Sequence, residues 1–254
     1  MEKRYTDYNA EIVDRWVREG WEWGQEISHE QYEQACLGHW EVLLTPTRPV
    51  PKEWFCPMQG ANVLGLASGG GQQMPIFTAQ GARCTVLDYS QEQLGKEELV
   101  AKREEYEISL VQADMTQPFP FADGQFDLIF HPVSNCYVRD VLPIWKECFR
   151  VLKPGGILLA GLDNGINYLF DEEDETRVQY SLPFDPLSDS QQYEDSVKND
   201  WGLQFSHTIE EQIGGQLDAG FVLSGIYQDT NGSGELHRRN VPTFYATKAV
   251  KPLR

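Results

Sequence analysis

Residues 63–73 read VLGLASGGGQQ, and the next apolar run, Thr85-Val86-Leu87, closes on a carboxylate, Asp88. A turn without bulky side chains lets backbone approach a ligand closely, and the helix start behind it offers unpaired N–H groups. A carboxylate at the end of the following strand can accept hydrogen bonds from both hydroxyls of a ribose. Together these residues could hold a nucleoside-bearing cofactor at the carboxyl edge of a parallel sheet. The loop does not say which nucleoside. Gly65, Ala67 and Gly70 loosely fit the dinucleotide fingerprint, with Asp88 as its ribose acid. A second chemical candidate is the stretch His131-Pro132-Val133-Ser134-Asn135-Cys136-Tyr137, where His131 or Tyr137 could take or share the proton of an attacking hydroxyl or amine. No serine triad or metal-ligand cluster stands out, and no metal is expected.

The elements that must position these groups alternate between residues 60 and 162. Strands are predicted over Asn62–Ala67, Arg83–Asp88, Ile108–Ala113, Phe126–Phe130 and Ile157–Leu162, each short and apolar, as strands covered on both faces should be. Pro75 suits a first helical turn and Gly81 a stop. Ser90 with Gln93 has capping-box spacing. Leu142, Trp145, Cys148, Phe149 and Leu152 recur at helical spacing before Lys153-Pro154-Gly155-Gly156. Such alternation means a parallel sheet with helices on both faces. Near the end, Thr208 and Glu211 again have capping-box spacing, Ile209, Ile213 and Leu217 form a stripe, and Gly220 stops it. Gly214 and Gly215 inside that helix suggest close packing on the sheet. Phe221–Tyr227 and Thr243–Val250 then read as two strands joined by the turn-rich Asp229–Gly234.

Two segments break the pattern. Residues 1–59 hold Trp16, Trp21, Trp23 and Trp40, a helical stripe of Ile12, Val13, Trp16 and Val17, and a second helix capped by Ser28 and Gln31. Residues 163–205 are polar, aromatic and acidic, with the run Asp171-Glu172-Glu173-Asp174-Glu175 read as a solvated stretch. An excursion that long between sheet elements points to function. Both are expected to cover the sheet's carboxyl edge, with His29, Tyr32 and Trp40 able to reach the site. The expected organisation is a helical cover over 1–59, then a cofactor-binding domain over 60–254 carrying an insertion at 163–205.

With 21 basic and 39 acidic residues, the chain has a net charge of −18. That disfavours nucleic acid and anionic membranes, which are bound through clustered lysine and arginine. No apolar run is long enough to span a bilayer, and the polar start does not read as a signal peptide. The five cysteines are scattered, which fits free thiols in the cytoplasm.

The stretch Ala61–Leu162 resembles the class I S-adenosylmethionine-dependent methyltransferases, most of all the small-molecule branch grouped with the ubiquinone-biosynthesis enzymes. Gly65, Ala67, Gly69 and Gly71 lie on the positions of that family's acid-x-Gly-x-Gly-x-Gly motif. Asp88 matches its ribose-binding acid. Gln112-Ala113-Asp114-Met115 matches the end of its third strand, PFPFADGQFDLIF (118–130) its approach to the fourth, and FRVLKPGGILLAG (149–161) its helix, turn and fifth strand. The resemblance implies a Rossmann-like, doubly wound sheet of seven mostly parallel strands with the last reversed. It implies S-adenosylmethionine as cofactor, bound by Ala67, Ser68, Gly69, Gly71, Gln73, Asp88, Tyr89, Asp114, Met115 and the backbone of His131. A small or medium-sized acceptor is expected. Gly65 departs from the motif by replacing its acid, and Ala67 by replacing a glycine; Gln72 and Gln73 could supply the lost polar contacts. Two other readings stay open: a SAM-binding regulatory protein without turnover, and a nicotinamide-dependent oxidoreductase.

Overall fold

A computed structural model describes residues 4–171 and 174–253. Glu172 and Glu173, the centre of the acidic run, lie outside the described residues. Seven strands form the main sheet: β1 (Asn62–Leu66), β2 (Arg83–Asp88), β3 (Ser109–Gln112), β4 (Phe126–His131), β5 (Leu152–Asp163), β8 (Val222–Asp229) and β9 (Phe244–Val250), with β6 (Phe170–Asp171) and β7 (Asp174–Val178) forming a separate hairpin. The order is β3-β2-β1-β4-β5-β9-β8, and the first five strands are parallel. β9 runs antiparallel to both β5 and β8. This is the doubly wound seven-stranded α/β sheet with a reversed last strand.

Because side chains alternate along a strand, β1 sends Val63 to one face and Leu64 and Leu66 to the other, all fully buried. The first face packs on Phe77 of α3 (Gln73–Ala79) and on Leu94 and Val100 of α4 (Gln91–Glu104). The second packs on Ile144, Trp145 and Cys148 of α5 (Leu142–Val151). The segment before β1 divides. α1 (Tyr5–Arg18) docks on the start of α4, where Asp14 accepts from the Ser90 hydroxyl and the Glu92 N–H. Ile27, Ala35 of α2 (His29–Cys36), Val42, Leu44, Val50, Trp54 and Met58 instead join the first core face. Among the described residues, no helix is long and apolar enough to cross a membrane.

Ser90 caps α4 by accepting the Gln93 N–H at 3.1 Å, but Gln93 turns its side chain to the Trp23 carbonyl rather than back to the cap. Three elements were not foreseen: the β6–β7 hairpin, α6 (Ser190–Lys198), capped by Asp189, and α8 (Gly234–Arg238).

The helix after Thr208 differs from its reading. Thr208 and Glu211 do cap each other, but Glu210–Gly214 winds as a π turn into α7 (Gly215–Asp218). Of the predicted apolar stripe, Ile213 packs against the second core face, and the other two positions turn outward. Ile209 and Leu217 are about half exposed, and Gln212 and Gln216 are fully buried. Their oxygens are paired, Gln212 Oε1 accepting from Asn135 and Gln216 Oε1 from Thr247, while both Nε2 groups are buried without a partner. Gly215 is packed closely, against a helix rather than the sheet: a Cβ there would lie 2.6 Å from Trp145 Cδ1 and 2.8 Å from Leu142 Cδ2. At Gly214 the nearest atom is 3.9 Å away. Gly215→Ala should therefore destabilise the protein by about 1–3 kcal/mol through overpacking. Gly214→Ala should stabilise it by about 0.5–1 kcal/mol through helix propensity. Urea unfolding of the two variants checks the pair, and equal effects would refute this packing.

Candidate functional site

β1 and β2 end side by side, Leu66 opposite Leu87, so the loops that follow them meet. Asp88 joins them. Its Oδ2 accepts the Gly69 N–H and its Oδ1 the Ser90 N–H, both at 3.0 Å. Burial pushes this carboxyl up to about 6, opposed by those backbone donors.

The glycines of the loop are set by protein contacts as much as by any ligand. A Cβ on Gly69 would lie 2.6 Å from Gln93 Cβ, and one on Gly71 2.9 Å from Glu26 Cβ and 3.0 Å from Val100 Cγ2. Gly71 lines neither cavity described below; its N–H donates to Glu97 Oε1 at 2.9 Å. Glu97 is fully buried, and burial pushes its carboxyl up to about 8, against the Gly71 N–H that favours ionisation. Ala67, where the motif has glycine, sits at φ +46°, a left-handed conformation that costs an L-residue about 1–2 kcal/mol. Its N–H is held by the Leu87 carbonyl at 2.8 Å. Gly65 faces Met74: a Cβ there would lie 2.8 Å from Sδ, so a motif acid has no room. The buried polar pair nearby is Ser68 donating to Gln73 Oε1 at 3.1 Å.

Two cavities meet at Asp88, and Val13, Ala67, Ser134 and Tyr137 also line both. The smaller, of about 90 Å³, is an apolar slot between Ala10 of α1 and Leu87, Ala113 and Met115, edged by Tyr89 and Asp114. Asp114 is already partnered. Its Oδ1 accepts from the Thr116 N–H and hydroxyl, and its Oδ2 from Arg4, which also donates to the Tyr89 hydroxyl. Arg4 thus closes the slot's outer edge from the start of α1.

The larger cavity, of about 450 Å³, is walled by Trp21, Trp23, Leu44, Ser68, Gly69 and Gln73 at one end. Its other end is walled by the 163–205 segment and Phe244. There Tyr168 stacks on Phe184 (5.2 Å between ring centroids), and Tyr180 meets Phe184 and Trp201 edge-on. Asp163, at the end of β5, is 2 % exposed and lines the same space. Among the described residues no lysine, arginine or histidine lines the cavity.

Of the two proton-handling candidates, Tyr137 lies at the junction, but burial raises its phenol well above its ordinary value, so it remains protonated. His131 is corrected as a side-chain candidate. Its ring is fully buried outside both cavities, with Nδ1 2.9 Å from the Leu66 carbonyl, Nε2 2.8 Å from Asn135 Oδ1, and an edge-on contact to Trp145. Burial lowers its pKa and keeps it neutral. His29, Tyr32 and Trp40 do not reach the cavity either. His29 pairs with Glu104, Tyr32 stacks on Tyr106, and Trp40 packs on Phe55 and Phe77. The sequence reading missed Asp163, Tyr168, Tyr180, Phe184 and Trp201 as individual residues, although their density of aromatics in an unexplained segment was the available signal.

A strand-end carboxylate between a small apolar slot and a larger aromatic-walled chamber is an arrangement suited to a nucleoside-bearing cofactor beside a second substrate. The comparisons say which. A methyltransferase-domain family matches residues 64–160. The uncharacterized methyltransferase YbaJ of Bacillus subtilis is 41% identical over 250 residues, covering 96% of this chain and 97% of that protein. The ubiquinone/menaquinone biosynthesis C-methyltransferase of Paracoccus denitrificans is 32% identical over 112 residues, 42% of this chain and 44% of its own. The fold matches an S-adenosylmethionine-dependent methyltransferase structure from Mesorhizobium loti with TM-score 0.62 at 16% identity, covering 78% of this chain and 94% of that one. The chain belongs to the methyltransferase family, and S-adenosylmethionine is its cofactor. The nicotinamide reading is thereby set aside. The residues present fit that group: the slot is lined mainly by apolar side chains, Asp88 lines both it and the chamber, and Gln93 Oε1 is buried beside the loop without a partner.

Asp88 sets a pH dependence. Its protonated form loses acceptor capacity toward ribose hydroxyls, so S-adenosylhomocysteine affinity should be constant above pH 7 and fall as pH drops through about 6. Asp88→Asn should bind roughly tenfold more weakly at pH 7.5, a loss of about 1.4 kcal/mol, with that pH dependence gone. Calorimetry between pH 5 and 8 checks both; an unchanged pH profile in the variant would exclude Asp88 as the group responsible.

Proposed function

We propose that this protein transfers the methyl group of S-adenosylmethionine to a small or medium-sized molecule held in the aromatic chamber. In this reading Asp88 accepts the ribose hydroxyls, and the adenine lies in the slot under α1, between Ala10 and Met115, with Tyr89 at its edge. Asp114 meets the adenine amino group only by sharing its carboxylate with Arg4. Ala67, Ser68, Gly69 and Gln73 hold the methionine end, with the His131 backbone beside them, and Gly71 serves by fixing the loop on α4. Tyr137 stands at the junction, where its hydroxyl can orient an acceptor without removing a proton.

The observation that carries the reading is that one chamber begins at the loop's Ala67–Gly69 and ends at the aromatic wall. A sulfonium methyl is already activated. What the chain must supply is alignment of a nucleophile and exclusion of water, and a chamber roofed by Trp21 and Trp23 is suited to both. Its size suits a small molecule, and the absence of lysine or arginine among its described lining residues disfavours nucleic acid. The five free cysteines support a reducing cytoplasm as its compartment.

The test is to incubate the protein with methyl-labelled cofactor and a cell extract divided by dialysis. A labelled product separable from the cofactor should form with the dialysable fraction; label transferred only to retained protein or nucleic acid would contradict the reading. Ser196, buried on α6 and lining the chamber, gives a specific control. Ser196→Trp should cut transfer by about tenfold or more while S-adenosylhomocysteine still binds, because only acceptor space is filled.

A further inference from the structure

The far end of the chamber carries an unmet electrostatic demand. Asp163 Oδ1 accepts the Gly165 N–H at 3.0 Å, but Oδ2 is buried with no hydrogen-bond partner. A buried carboxylate oxygen without a donor is costly, and native proteins rarely leave one unmet. Asn167 Oδ1, which lines the same space, is also buried and unpartnered. Tyr168, Tyr180, Phe184 and Trp201 line the same cavity, and the face of an aromatic ring attracts a cation.

We propose that the acceptor molecule carries a cationic amine as its anchor on a planar or apolar body, the ammonium held by Asp163 in the space lined by Tyr168, Tyr180, Phe184 and Trp201. Having no lone pair, the ammonium is the binding handle, and another atom of the body takes the methyl group. The assignment rests on the methyltransferase reading and names the substrate class for it. A carboxylate or phosphate acceptor is excluded by the same wall, since Asp163 and Glu175 line it and no described cation does. Glu175 is already occupied by the Asn231 amide and the Leu236 N–H, which leaves Asp163 as the free acceptor. His207 is the basic group nearest in influence and favours ionisation of Asp163 against burial, which raises its pKa. It does not line the chamber, and its Nε2 is engaged by the Asn135 carbonyl at 3.1 Å, so it does not satisfy Oδ2.

Matched pairs of amines and carboxylates test this on the full chain: tryptamine with indole-3-propionate, phenethylamine with 3-phenylpropionate, and benzylamine with phenylacetate. Affinities are measured by calorimetry with and without S-adenosylhomocysteine. At least one amine should bind roughly tenfold or more tightly than its carboxylate partner, and Asp163→Asn should erase that preference while leaving S-adenosylhomocysteine affinity unchanged. The comparison on the unaltered protein stands even if the variant folds poorly. Carboxylates binding as well as their amines, no amine binding, or a preference that survives Asp163→Asn would each overturn the assignment. Failure of S-adenosylhomocysteine to bind, with the amine preference intact, would instead overturn the methyltransferase reading.

Discussion

The organisation of the site depends on the attachment of the Ala67–Gly71 loop to the loop and helix after β2. Asp88 holds Gly69 and Ser90 in one carboxylate, Glu97 holds Gly71, and the Gln93 carbonyl takes the Gly70 N–H. Side chains at Gly69 or Gly71 would push α4 away. This explains how Ala67 can persist in a left-handed conformation: its surroundings over-determine it. The conformation of this loop is therefore set by contacts within the protein.

Once α4 is fixed, the roof follows. Asp14 reaches α4's first turn from α1, placing Ala10 and Val13 over the slot and the chamber and bringing Arg4 to Asp114. Trp23 is drawn in through its carbonyl, which receives the Gln93 amide. The 163–205 segment that walls the chamber together with β9 is tied to the same helix: Asn9 of α1 pairs with the Leu203 backbone, and Arg15 and Trp16 hold Asp200. One part of the chamber is lined by the loop after β1, and the other by aromatic rings with two carboxylates, Asp163 and Glu175.

The parallel core was legible because its strands are short apolar runs separated by clear stops; Arg83–Asp88 was placed to the residue. Asp88 was legible because strand-end position and chemistry coincide. The aromatic wall was not, since Tyr168 and Trp201 lie in a short turn and irregular chain with no period to read, and meet Asp163 only where β5 ends. His131 misled for a related reason. Its place after β4 is correct, but β4's alternation turns the ring into the core toward Trp145 rather than into the chamber. The Ile209–Leu217 stripe failed because a π turn changes the helical period on which the stripe rests. Gly65 reads in sequence as a lost acid, whereas in three dimensions Met74 occupies the place that acid would need.

The central claim is that one continuous site runs from the slot under α1, past Asp88, into the aromatic chamber. A crystal structure with S-adenosylhomocysteine tests it most directly. The account predicts adenine between Ala10 and Met115, both ribose hydroxyls on Asp88, and the sulfur facing the chamber that Asp163 closes. A ribose held elsewhere, or a sulfur walled off from that chamber, would contradict it.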